Sequence, residues 1–246
     1  MSTSTLIPLN DQERLAALAP YRVLGTAPDA VFDEVVRLTA KLFDVPVALV
    51  SLVDEGSVWF KANFGMPGAE RVARNESICS VAILNEDTTI YSNLLTQPCQ
   101  LTEPGVAEAL QMQFYAGHPL QDEQGYNIGA LCVIDRQPRQ LSTLEQHRLQ
   151  DLAQVVMQML KLRLALQQHP KQDSTTWGKL YHRLDTSLNR LDTLAELARW
   201  EESPTTPAAL SYQQSREEEI GLVIQLLNRQ VTEALASAEQ GVLAKF

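Results

Sequence analysis

The stretch PVALVSLVDEGSVWFKANF, residues 46–64, decides the fold because it contains two predicted strands and the turn between them. Its first part, residues 46–53, is a β-branched and almost wholly apolar run, which is typical of a central strand covered on both faces. Residues 54–57 (DEGS) have the composition of a tight turn. Residues 58–64 alternate well enough to form the returning strand. The stretch therefore predicts a β-hairpin with one strand inside a sheet.

A second hairpin is predicted farther along the chain. FYAGHPL (residues 114–120) and GYNIGALCVID (residues 125–135) bracket a polar turn at residues 121–124. Between the two hairpins, Pro and Gly repeatedly interrupt the pattern over residues 65–113. A long irregular stretch inside a compact domain is more often a binding loop than a linker. We therefore expect these loops to border a site.

Helices are predicted before the first strand and after the last strand in the sequence. Residues 11–24 form a short helix, and residues 31–43 form a second one with apolar side chains at helical spacing. Ser142 with Glu145 three residues later is a capping box, which opens a long helix that continues to about Gln167. A helix of that length exceeds what one small sheet can cover, so we expect part of it to pack on another element.

The last third of the chain contains two apolar stripes separated by a break at residues 203–207. Spacings of three and four residues predict an antiparallel helical hairpin. Such a hairpin needs a partner surface, which is either the preceding long helix or the same hairpin of a second copy. We favour the second copy, and therefore a homodimer. The stripes are Trp177, Leu180, Leu184, Leu188, Leu191, Leu194 and Ala198, then Ile220, Ile224, Leu227, Val231, Ala234 and Ala238.

Composition excludes several function classes. The 246 residues carry a formal net charge of -10, which opposes nucleic acid and anionic membrane surfaces as partners. Three cysteines, Cys79, Cys99 and Cys132, form neither a C-x-x-C spacing nor an even set, so no metal site and no disulfide framework are predicted. The first residues lack a basic leader and an apolar segment, and we expect a cytoplasmic protein.

Four segments carry a family resemblance: FDEVVRLTAKLFDVPVALVSLVDE (32–55), VWFKANFG (58–65), FYAGHPL (114–120) and GYNIGALCVIDRQPRQLS (125–142). In order and spacing they resemble the GAF domains found ahead of bacterial histidine kinases and diguanylate cyclases. The resemblance implies an α+β fold with a six-stranded antiparallel sheet flanked by helices. It also implies a ligand pocket between the sheet and the loops after the first hairpin. We expect a GAF sensory domain over residues 1–168 and an all-α helical hairpin extension over residues 169–246.

The chain departs from the family pattern at one informative position. Relatives usually read S-F-C-A-H-A-I where this sequence has residues 77–83, so the cysteine is kept but Val81 replaces the histidine. Beyond Gln167 the sequence contains no phosphoacceptor box around His182, no G-x-G-x-x-G loop and no cyclase signature. Any output is therefore expected from a partner such as a histidine kinase or cyclase.

Five residues are candidates for ligand binding on this resemblance: Trp59, Ser77, Cys79, Tyr115 and His118. Cys79 could sense an oxidant or anchor a tetrapyrrole, although free cysteines are usually inert packing. His118 could project toward the pocket, but a histidine hydrogen-bonded within the fold is the more frequent case. Trp59 and Tyr115 could line an aromatic wall or simply pack, and the Tyr115 hydroxyl would give an apolar cavity a polar handle.

Three functions remain open at this point. The favoured one is a signal-sensing protein that binds a small molecule and relays it through its helices, with no catalytic constellation and no identified cofactor. The second is a helical scaffold with a vestigial pocket, which a pocket filled by side chains would favour. The third is a thiol enzyme such as free methionine-R-sulfoxide reductase, although the cysteines do not match that family's spacing.

Overall fold

A computed structural model describes residues 6–167, 170–201, 203 and 205–243. Within these residues the strands form a six-stranded sheet in the order β3-β2-β1-β6-β5-β4, and every neighbouring pair is antiparallel. Both predicted hairpins join in it, as the sequence predicts, because β1 pairs with β2 on one side and with β6 on the other. The strands are β1 (Val47–Val53), β2 (Ser57–Phe64), β3 (Arg71–Ala73), β4 (Thr89–Tyr91), β5 (Phe114–Gln121) and β6 (Asn127–Asp135).

Long helices cover one face of the sheet in two layers. Two of them, α2 and α5, contact the strands directly, while α6 packs on α2 and α7 packs on both α5 and α6. In the described part of the chain, no helix combines the length and apolarity needed to span a bilayer. The helices are α1 (Asp11–Leu18), α2 (Ala30–Phe43), α3 (Cys79–Ala82), α4 (Val106–Ala109), α5 (Thr143–Leu166), α6 (Pro170–Arg199) and α7 (Pro207–Leu243).

The central strand β1 is buried along its whole length. Side chains alternate between the two faces of a strand. Ala48 and Val50 accordingly belong to the core on the helix-covered side, called here the helix-side core, whereas Val47 and Leu49 belong to a separate core on the opposite side, called the loop-side core. The apolar run that predicts a doubly covered strand is therefore confirmed.

The loop-side core is covered by the irregular stretch between the hairpins. Residues 74–112 are called here the roof. They contain only short regular elements, among them α3, β4 and α4. Ile78, Val81 and Leu94 of the roof are buried against the sheet. The loops between the two hairpins therefore cover the face of the sheet opposite the long helices.

Most of the apolar side chains in both stripes of the C-terminal hairpin are buried within the chain. Leu184 is 2% exposed and Leu191 4% exposed, and both belong to the helix-side core. Of the two partner surfaces weighed above, the long helix α5 is the one observed, together with α2. The stripes are therefore covered within one chain and do not require a second copy, while the homodimer itself stays a prediction. The side chain of Ala198 and the proposed domain boundary at residues 168–169 lie outside the described residues.

Polar contacts join the outer helices to the inner ones. Lys41 on α2 pairs with Asp192 on α6, and Arg148 on α5 pairs with Glu217 on α7 at 2.7 Å. Arg216 also donates a hydrogen bond of 2.9 Å to the Lys41 carbonyl. These contacts link the outer helices to the inner ones at defined positions. Partly exposed ion pairs contribute little energy each, so apolar burial supplies most of the stability.

The first helix is shorter than predicted. It ends at Leu18 and continues only as a 3-10 turn, Ala19–Tyr21. Pro20 lacks the amide hydrogen that an α-helical continuation needs, and Arg22 has a φ of 50°, which lies in the left-handed region. The prediction of a helix to residue 24 is therefore wrong at its C-terminal end.

Candidate functional site

Three of the five predicted site residues lie together beneath the roof. The Ser77 hydroxyl accepts a hydrogen bond of 3.3 Å from the Cys79 amide. The Cys79 sulfur lies 3.6 Å from the sulfur of Cys132 on β6, and Tyr115 on β5 contacts the same cluster. Cys132 belongs to the core, as the sequence predicts. Residues that are far apart in sequence thus form a compact polar group inside the loop-side core.

Tyr115 fills the space in which a ligand pocket would be expected. Its side chain is 1% exposed, and Cys79 is 2% exposed. A Cβ atom at position 117 would lie 2.3 Å from the Tyr115 hydroxyl oxygen, so only glycine leaves room for this ring. Burial at these three positions leaves no solvent-accessible hollow around Cys79. This is the filled arrangement that favours the scaffold hypothesis.

Burial and hydrogen bonding together govern the protonation states in this cluster. It raises the pKa of Tyr115 well above the ordinary value of a phenol, so the hydroxyl stays neutral and able to donate. Among the described residues, no group accepts a well-formed hydrogen bond from it. A hydrogen bond from the Cys132 thiol lowers the pKa of Cys79, although burial opposes this effect. The pKa of Cys132 is raised, because donation to Cys79 favours its protonated form.

Trp59 and His118 lie on the other face of the sheet. Trp59 pairs with Leu52, and His118 pairs with Leu131; both leucines belong to the helix-side core. His118 Nδ1 lies 2.9 Å from the Thr88 hydroxyl, which is the hydrogen-bonded alternative weighed above, and burial lowers the pKa of its ring. The structure therefore does not place these two residues with Cys79, because strand alternation points them to the face opposite the loop-side core.

Cys99 is partly buried, in contrast to the exposed position that its Pro-flanked loop predicts. It packs at the margin of the loop-side core and accepts a hydrogen bond of 3.3 Å from the Tyr91 hydroxyl. Burial raises the pKa of Tyr91. This thiol is separate from the Cys79–Cys132 pair.

An open cleft of about 260 Å³ lies at one end of the loop-side core. Its floor includes Val47 and Ile134, which are paired across β1 and β6, and Met112 at the end of the roof. None of these residues was singled out from the sequence. Its walls come from segments that are separated in the chain, so no local pattern marks them. The remaining lining residues are Pro46, Gly65, Met66, Pro67, Ala69, Leu110, Asp135 and Arg136.

A buried ion pair network anchors the start of the roof. Asp11 on α1 accepts hydrogen bonds of 2.9 Å from Arg74 and of 2.8 Å from Arg14. Arg14 is 1% exposed and also donates to the Val53 carbonyl at 2.6 Å, at the end of β1. One carboxylate therefore serves two buried guanidinium groups and links α1, the first hairpin and the residues that precede Ser77.

Replacing Asp11 by Asn is expected to lower the free energy of unfolding by about 2 kcal/mol near neutral pH, since two buried cations lose their shared partner. Although burial alone would raise it, the pKa of Asp11 is lowered overall by the two arginines. A lowered folded-state pKa stabilises above the unfolded-state pKa, and this contribution is lost as the pH falls through the folded-state pKa. Urea unfolding of wild type and variant at several pH values should therefore converge in acid.

The matched control for this prediction is Asp185→Asn. Asp185 is 41% exposed and lies 3.5 Å from Arg37, so its loss should change stability by less than about 0.5 kcal/mol. Equal effects of the two substitutions at every pH would contradict the role assigned to Asp11.

Solved structures similar to this chain include three of different function. A free methionine-R-sulfoxide reductase from Thermoplasma acidophilum is 17% identical, with a TM-score of 0.42, over 50% of this chain and 84% of that one. The GAF domain of an Acinetobacter phosphoenolpyruvate-protein phosphotransferase is 16% identical, with a TM-score of 0.42, over 63% of this chain and 92% of that one. The PixJ GAF domain of Thermosynechococcus elongatus is 14% identical, with a TM-score of 0.43, over 67% of this chain and 98% of that one.

A curated relative is found in Pseudomonas aeruginosa. It is a cyclic di-GMP phosphodiesterase that is 32% identical over 151 residues, which make up 61% of this chain and 26% of the relative. The chain thus spans about a quarter of the length of that relative. The phosphodiesterase activity is a property of the relative as a whole.

A six-stranded antiparallel sheet with long helices on one face and a roof of short elements on the other defines a small-molecule sensing fold. The chain belongs to the GAF domain family, whose model matches residues 27–160. Within the described residues, no group of three or more His, Cys, Asp and Glu side chains is arranged to hold a metal ion.

Proposed function

We propose that this protein is a cytosolic receptor that binds a small, mainly apolar molecule in the cleft at the end of the loop-side core. It relays occupancy of the cleft to α5, α6 and α7, and through them to a partner such as a histidine kinase or cyclase. The observation that carries the proposal is the position of Val47 and Ile134, which line the cleft from the two central strands.

The central strands offer a direct route from the cleft to the helices. Ala48 and Val133 are paired with each other next to Val47 and Ile134, and both belong to the helix-side core. A ligand that changes the spacing between Val47 and Ile134 therefore also moves Ala48 and Val133, whose side chains lie in the helix-side core. Such a ligand shifts the population of helix arrangements in proportion to its preference for one of them.

The cleft favours a ligand with an apolar body and an anionic end. Met66 and Met112 supply adaptable apolar walls. Arg136 lies at the rim, and no ion pair to its guanidinium is present in the described part of the chain. The Asp135 carboxylate already accepts hydrogen bonds from the amides of Arg136 and Gln137. An arginine without an ion pair partner is well suited to a carboxylate.

The test is to fill the cleft and measure binding. Phenylacetate, which has an apolar ring and a carboxylate, is expected to raise the melting temperature of the wild-type chain. Ala69→Trp, which inserts an indole into the cleft, should abolish the effect. Leu95→Trp adds the same indole at a residue that is 61% exposed on the roof and outside the cleft, and it should leave the effect intact. Native mass spectrometry of the freshly purified proteins checks in parallel for a retained molecule.

A second function is favoured by one specific observation, which is the occupation of the pocket region by Tyr115. In that case the protein is a helical scaffold, and its GAF domain only positions α6 and α7. This hypothesis predicts a bare chain mass in the native spectrum and no thermal shift with phenylacetate in any variant. The same experiment therefore separates the two proposals.

A further inference from the structure

Two cysteines from different layers meet inside the loop-side core. Cys79 begins α3 in the roof, and Cys132 lies in the central strand β6, 53 positions later in the chain. Their sulfur atoms are 3.6 Å apart. A disulfide bond needs a separation of about 2.0 Å, so a small movement of the two side chains brings them into bonding distance.

We infer that Cys79 and Cys132 form a peroxide-sensitive dithiol, which closes to a disulfide between the roof and the central sheet. This inference does not depend on the cleft proposed above, since neither cysteine lines it. It assigns the filled pocket region a chemical role in place of a binding role.

The surroundings of the pair distinguish it from two inert buried thiols. Donation from Cys132 lowers the pKa of Cys79, which makes Cys79 the attacking sulfur. The Ser77 hydroxyl also favours the thiolate of Cys79. The neutral Tyr115 hydroxyl lies beside the two sulfurs and also lowers the pKa of Cys79 by hydrogen bonding.

Access to the pair depends on the roof, because both sulfurs are buried. The α3 helix is a single turn of four residues, and the neighbouring roof elements are equally short. Elements of one turn or a few residues open locally at lower cost than the long strands beneath them. Hydrogen peroxide is small enough to enter through such openings.

The reaction consumes one peroxide and oxidises both thiols. In the first step the Cys79 sulfur attacks one peroxide oxygen, an S–O bond forms, and the O–O bond breaks. The leaving hydroxide takes the thiol proton and departs as water. In the second step the Cys132 sulfur attacks the sulfenic acid on Cys79, the S–S bond forms, and the S–O bond breaks. The sulfenic oxygen leaves as a second water with the proton of Cys132, so two electrons pass from sulfur to peroxide.

The test uses the full chain with Cys99→Ser, so that only the two cysteines of interest remain. After peroxide treatment the protein is unfolded and labelled with N-ethylmaleimide, and its intact mass is measured. We expect complete loss of both labels, a mass lower by two hydrogen atoms, and recovery of both labels with dithiothreitol. Peptide mapping should show Cys79 joined to Cys132.

Single variants separate the roles of the two sulfurs. In Cys99→Ser, Cys132→Ser, the remaining Cys79 should form a sulfenic acid that dimedone traps. In Cys99→Ser, Cys79→Ser, the remaining Cys132 should keep its label under the same treatment. Near-ultraviolet circular dichroism confirms that each variant is folded. Two retained labels after peroxide, or oxidation of Cys79 and Cys132 to sulfinic acids without a disulfide, would overturn the inference whether or not phenylacetate binds.

Discussion

Replacing Leu184 and Leu191 together by Ala is expected to lower the free energy of unfolding by about 4 kcal/mol or more, at about 2 to 5 kcal/mol for each buried leucine. Both side chains lie in the helix-side core, at 2% and 4% exposure. They are seven positions apart on α6, so their effects should be close to additive. Urea unfolding followed by circular dichroism measures the loss.

The unfolding experiment also shows whether Leu184 and Leu191 are buried within one chain or between two chains. Because the structure covers the stripe with α2 and α5, the urea midpoint should not depend on protein concentration. Leu197→Ala on the same helix is the matched control, since Leu197 is 41% exposed and its loss should change stability by less than about 0.5 kcal/mol. A midpoint that rises with protein concentration in the wild type, and no longer does so in the double variant, would instead place the stripe in a dimer interface.

Gly129→Ala is expected to destabilise the protein by at least about 3 kcal/mol, because the added methyl group has no space. A Cβ atom at this position would lie 2.0 Å from the Ser51 carbonyl oxygen and 3.1 Å from the Leu52 Cα. These atoms belong to the backbone of β1, which cannot move away without breaking its pairing with β6. Thermal and urea unfolding both report the loss.

Gly56→Ala is the control for this substitution. Gly56 lies in the turn between β1 and β2, and an added Cβ atom would have no neighbour within 4 Å. Its replacement should change stability by less than about 1 kcal/mol in either direction. A Gly129→Ala variant as stable as Gly56→Ala would mean that β6 does not lie beside β1 in this register.

The sequence predicts the fold well because its strongest signals are local. The run at residues 46–53 predicts a strand that is covered on both faces, and the structure buries every residue of β1, Val47–Val53. The capping box at Ser142 and Glu145 is also observed, and it starts α5 one residue later. Signals of this kind depend on spacing along the chain, which the sequence displays directly.

The candidate site was only partly predictable because it depends on contacts between distant segments. The resemblance places Ser77, Cys79 and Tyr115 near one another, and the structure brings them together. It does not reveal that strand alternation points Trp59 and His118 to the opposite face. Partner choice is equally hidden, since an apolar stripe has the same spacing whether α5 or a second chain covers it. The cleft is lined by several separate segments, and no local sequence pattern in any one of them indicates a binding site.

The contact between Tyr115 and Gly117 determines how much room the domain contains. The phenol ring of Tyr115 on β5 occupies the space between the sheet and the roof, and it is buried against Gly117. Exchange of one side chain at position 115 would change the capacity of this interior without altering the backbone that frames it. In this domain, the size of the side chain at position 115 therefore determines how much of that interior is left empty.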